Sequence, residues 1–125
     1  MPTIAVKSQP DKDYDAILDA LADHLPSIAA PLMNIDGSAL HEGGVGEAEI
    51  LVEFTEFSPR DRNVNNIQIT MVAHAFPQRV DEVEKSTEQL KQGVMEVLRD
   101  FDRNLVVGIS IWLVEMGYTT IGKED

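Results

Sequence analysis

The sequence predicts an α+β domain in which tandem β-α-β units form a four-stranded mixed sheet with two helices on one face. Three observations carry that reading. Four stretches alternate apolar and polar residues with the period of strands, and two longer stretches repeat with the period of helices. Their order also falls into two halves of the same plan, about 2–58 and 66–122. At 125 residues, the whole chain, 1–125, is expected to be one domain with one core.

The first strand is Thr3 to Ser8, with Ile4 and Val6 on one side. DYDAILDALADHL follows as a helix, setting Tyr14, Ile17, Leu18, Leu21 and Leu25 on one face. Acids at its start suit the positive end of the helix dipole. Pro26 is expected to kink or end it, and Pro31 repeats the signal. NIDGSALHEGGVGEAE reads as a loop. EILVEFTEF is the second strand, with Ile50, Val52 and Phe54 opposite Glu53 and Thr55. After the turn-rich SPRDRNVNN comes NIQITMVAHAF, the third strand. The second helix, VEKSTEQLKQGVMEVLRDF, carries Val83, Leu90, Val94, Val97, Leu98 and Phe101 at helical spacing. Gly93 in its middle costs about 1 kcal/mol against alanine, which points to a close packing contact.

The fourth strand, VVGISIWLVEM, is almost wholly apolar, and that predicts a central place in the sheet with both faces covered. A strand–helix–strand unit implies parallel pairing with a right-handed crossover. Two such units side by side leave one sheet face bare, and so apolar a strand predicts burial against other subunits. An oligomer is expected.

Composition excludes several classes. With 22 acids against 10 bases the net charge is −12, which repels nucleic-acid phosphate and anionic membrane surfaces. The longest nearly apolar run, Leu105 to Val114, is about half of what a bilayer span needs. Acids and Pro10 interrupt the first residues before a signal peptide could form, so a cytoplasmic protein is expected. There is no cysteine, hence no disulfide, thiol nucleophile or zinc–thiolate site. His24, His41 and His74 lack metal-ligand spacing. HEGGVGE lacks the order of a phosphate loop and is flanked by Glu42 and Glu47. Neither a metal nor a cofactor is expected.

AHAFPQRVDEVEKSTEQLKQGVMEVL followed by VVGISIWLVEMGYTTIG is similar to the repeating unit of the tautomerase superfamily: strand, turn with arginine, helix, strand ending Glu-Met, glycine-rich tail. Pro2, opening TIAV, stands where that family has its catalytic proline. Length and spacing most resemble the 5-carboxymethyl-2-hydroxymuconate isomerase branch, less the half-length 4-oxalocrotonate tautomerases. The resemblance implies a homotrimer, and a cofactor-free tautomerase or isomerase acting on a small carboxylate substrate.

The chemistry of Pro2 supports that implication. A chain-terminal proline is a secondary amine, whereas an internal one is an amide without basicity. An α-amino group titrates near 8, and removal from water lowers that value. A neutral amine can take a proton beside a carbonyl and return it elsewhere, which is enol–keto isomerisation by one group serving as base and then acid. This requires loss of Met1; otherwise Pro2 merely begins a strand, where a missing donor costs little.

The resemblance also supplies candidate substrate-binding residues. Arg79 matches the turn arginine, suited to pair a carboxylate in bidentate fashion and to depress the amine pKa. Arg60, with Arg62, is a further cation in the connection between halves. Tyr118 could donate its hydroxyl to a developing enolate, while Trp112 reads as core or trimer packing. Relatives carry an arginine early in the strand returning from a helix, where this chain has Glu49 and Ser110. That departure favours a less charged keto acid, or hydration or dehalogenation of an unsaturated acid on the same base. A non-catalytic trimer used for binding is the competing class.

Overall fold

The computed structural model describes residues 2–33, 46–75, 77–101 and 104–115. Strand β1 is Thr3–Ser8, helix α1 Asp15–Met33, β2 Leu51–Glu56, β3 Ile67–His74, a short helix α2 Pro77–Asp81, α3 Val83–Leu98, and β4 Val107–Val114. The sheet order is β2-β1-β3-β4. Within each unit the strands run parallel, β1 with β2 and β3 with β4, while β1 and β3 meet antiparallel at the centre. The two β-α-β units therefore stand back to back.

Alternation explains the central pair. Ile4, Val6, Ile67, Ile69, Met71 and Ala73 point to one side and are buried under α1 and α3. Helix α1 adds Ile17, Leu21, Leu25, Ala29 and Met33 to the core, and α3 adds Leu90 and Val94. Gly93 lets the helices approach: a Cβ there would lie 2.6 Å from Ile28 Cγ2, as the sequence led us to expect. At Gly108 a Cβ would meet the ends of the Gln68 and Asn65 side chains, which hydrogen-bond each other at 2.8 Å and would have to move aside.

Two expectations need correction. Strand β4 is an edge strand, not a central one, because each unit places its second strand outside. Its apolar character comes from two faces: Val107, Ile109, Ile111 and Leu113 pack partly against the core, and Trp112, 61% exposed, lies on the other side. Nor does Pro26 end the first helix. Helix α1 runs through Pro26 and Pro31 to Met33, and burial of Ala29, Ala30, Leu32 and Met33 beyond the first proline offsets the lost backbone bonds.

Candidate active site

Pro2 comes immediately before β1, at the head of a central strand. Its carbonyl accepts from the Leu51 N–H at 3.1 Å. Thr3 pairs with Leu51 on one side and Val72 on the other, so continuing the ladders sets Pro2 beside Ile50 and opposite Ala73. All three are buried, in a row on the helix-covered side of the sheet. With Met1 attached, proline suits this position because its amide has no N–H to leave unsatisfied. An amine held there would be short of water, and desolvation favours its neutral form.

The ends of β3 and β4 lie at this same end of the sheet, where Ala75 N–H donates to Val114 O at 2.9 Å. Arg79, on α2 just beyond β3, is 5% exposed. Its Nε and Nη2 donate to the Met33 carbonyl at 3.3 and 3.1 Å, and Nη1 donates to the His74 carbonyl at 3.0 Å. Met33 ends α1, and its carbonyl belongs to the last turn, which has no donor within the helix. Burial lowers the guanidinium pKa from its ordinary value, yet arginine stays charged. The cation thus ties the end of α1 to the end of β3.

Other candidates lie elsewhere. Arg60 and Arg62 occupy the connection between β2 and β3, at the Ser8 end of β1, about 20 Å from Pro2 by strand rise. Arg62 Nη1 donates to the carbonyls of Pro59 and Asp61. One protomer does not bring Arg60 beside Pro2. Tyr118 and His41 lie outside the described residues. Glu49 ends a 3-10 turn leading into β2 at the Pro2 end, and its carboxylate accepts from Gly46 N–H at 2.9 Å. Ser110 faces the uncovered side of the sheet, 3.2 Å from the Trp112 indole nitrogen, which donates to it. Among the described residues there is no cluster of three or more metal-ligating side chains. No helix among them is long and apolar enough to cross a membrane.

Asn66 was invisible in the sequence as anything but a turn residue. It sits just before β3 as Pro2 sits just before β1. Its Oδ1 accepts from Val106 N–H at 2.8 Å, and its Nδ2 donates to Tyr14 Oη at 3.1 Å. A long groove of about 1080 Å³ opens between α3 and β4, lined by Val83, Met95, Leu98, Phe101, Ile109 and Ile111 among others.

No family model and no curated protein sequence matches the chain. Solved structures do. Malonate semialdehyde decarboxylase, solved in wild-type, mutant and inactivated forms to explain decarboxylase and hydratase activities, is similar at 10% identity. That match has a TM-score of 0.63 and covers 98% of this chain and 92% of that one. A fused 4-OT solved as an asymmetric trimer matches at 15% identity and TM-score 0.60, over 98% and 94% of the two chains. N1, a member of the cis-3-chloroacrylic acid dehalogenase family, matches at 17% identity and TM-score 0.57, over 97% and 81%. At these identities the likeness concerns the path of the backbone. The chain has the fold of the tautomerase superfamily.

Proposed function

We propose that this protein is a cofactor-free tautomerase or isomerase whose general base and acid is Pro2, freed by removal of Met1. The reaction is enol–keto isomerisation of a small keto or unsaturated carboxylic acid. The observation that carries this reading is the burial of Pro2 between Ile50 and Ala73 at the head of a central strand. There a terminal amine is partly stripped of water and poised near neutral pH. The amine takes the enol proton and returns a proton to carbon, so that no net charge remains on the enzyme. Tyr118, which follows β4 in the sequence and lies outside the described residues, is proposed as the donor to the enolate oxygen. Arg60 can approach Pro2 only from a second copy of the chain, in line with a homotrimer that covers the bare sheet face around Trp112 and Leu51, which are 61% and 46% exposed.

Intact mass and an enol assay test the proposal together. Native protein should lack Met1 and should ketonise phenylenolpyruvate; the Pro2→Ala variant should not. Complete retention of Met1, or equal rates in the two proteins, would leave the non-catalytic trimer as the better account.

A second reading is hydration or dehalogenation of an unsaturated acid by the same amine, favoured by Glu49 beside β2 in place of a cation. It predicts covalent capture of Pro2 by an acetylenic acid and little turnover of enols.

A further inference from the structure

We infer that Arg79 is a positioning residue beside Pro2 and not the receptor for a substrate carboxylate, so that the site takes carbonyl substrates bearing at most one negative charge. This rests on the Pro2 reading above and refines it.

The geometry of the guanidinium is the first ground. Arginine reads a carboxylate with two parallel N–H groups of its fork. Here Nε and Nη2, one such pair, both point at the Met33 carbonyl, and Nη1 is on the His74 carbonyl. The group is 5% exposed. Three of its five N–H donors are therefore held on carbonyls that end α1 and β3, and swinging the buried group out to a substrate would leave those carbonyls without donors. Those two backbone ends flank the row holding Pro2, since Ala73, opposite Pro2, is the neighbour of His74. Losing the tie would loosen the walls of the site.

The second ground is the charge around that end of the sheet. Glu47 and Glu49 precede β2 and Glu115 follows β4, all exposed. Lys85, near the start of α3, has its Nζ 3.7 Å from Glu82. Lys7, Lys12, Arg60 and Arg62 belong to the Ser8 end, while Lys91 and Arg99 lie further along α3 beside Glu88 and Glu96. The His74 side chain alternates onto the opposite face from the row of Pro2. Among the described residues of one protomer, then, a carboxylate at this end meets acids, and the cation left for it is the Arg60 that a second copy would bring, which matches a single negative charge.

The test compares phenylenolpyruvate, its uncharged methyl ester, and the dianion 2-hydroxymuconate, with wild-type protein and the variants Arg79→Met and Arg79→Lys. For Arg79→Met we expect kcat to fall by about tenfold with KM within about twofold, and the acid-to-ester ratio of kcat/KM to stay as in wild type. Arg79→Lys, which keeps donors for the carbonyls, should recover part of kcat. Wild type should favour the monoanion over the dianion by about tenfold, and added salt should narrow the gap. A rise in KM on the acid with the ester unaffected, or a wild-type preference for the dianion, would overturn the inference. Should the variants fail to fold, the Nε–H resonance of Arg79 in 15N-labelled wild type decides. It should exchange slowly and stay unmoved by phenylacetate, a monoanion the site should admit; a saturable shift would assign Arg79 to the ligand. Absence of turnover with every enol would refute the Pro2 reading instead, and the resonance would still settle the role of Arg79.

Discussion

Pro2 and Asn66 hold equivalent positions, each one residue ahead of the first strand of its β-α-β unit, at opposite ends of the sheet. At the Asn66 end, polar groups are consumed. The Asn66 amide, side-chain oxygen and side-chain nitrogen engage Val106 and Tyr14, and its carbonyl accepts from Gln9 N–H at 3.0 Å. At the Pro2 end the residue contributes its carbonyl to the ladder, accepting from Leu51 N–H. One end is locked by hydrogen bonds, the other closed by apolar burial and by a cation set back on backbone carbonyls. The difference teaches how a duplicated plan divides its tasks: one of two equivalent places is fixed by side-chain hydrogen bonds, and the other, where we propose the base, is enclosed by apolar neighbours.

The comparison breaks most visibly at Pro2. Pro2→Ala should lower the enol–keto rate by about 100- to 10,000-fold, the range for a positioned acid–base group, while lowering unfolding free energy by about 1–2 kcal/mol for the buried methylenes removed. Stopped-flow ultraviolet absorbance and urea melts measure the two quantities. Asn66→Ala should affect stability alone. Loss of its bonds to Tyr14 and Val106 should cost about 1–3 kcal/mol in urea unfolding, with the rate per folded molecule held. A large rate loss there would show that the two ends are coupled.

Between the ends, Gly93→Ala should destabilise by about 1 kcal/mol, the crowding of Ile28 outweighing the better helix propensity. Restored melting temperature in Gly93→Ala on an Ile28→Ala background, relative to Ile28→Ala alone, would locate the clash. The smallest effect is expected from Lys7→Met. Lys7 lies 5.2 Å over the Phe57 ring near the locked end, and exposed pairs of this kind contribute about 0.5 kcal/mol.

Much of this architecture was legible in the sequence, because period is a local property. The alternation of Ile4 and Val6, and of Ile67, Ile69 and Met71, predicts strands buried on one side, and they are. Gly93 signalled a helix contact for the same reason: a glycine inside a helix is costly unless something needs the space. What failed depended on distant partners. The apolar run of β4 reports that it is covered, not where in the sheet it lies. Pro26 obeys a local rule that burial of Ala29 to Met33 overrides. Arg79 could be placed from sequence near the end of β3, but its charge alone does not say that carbonyls of Met33 and His74 surround it. For Asn66 no signal distinguishes it from Asn63 or Asn65 nearby. Asn63 in fact takes a positive φ of 59°, a turn role.

The antiparallel meeting of β1 and β3 has a consequence for stoichiometry. A polypeptide has a single beginning, so of two places related by this internal dyad only one can ever present a terminal nitrogen. Under the proposed reading, a chain that holds both units therefore carries one reactive amine, whatever the size of the assembly. It also leaves the other place at liberty to be filled by whichever side chain holds the scaffold best.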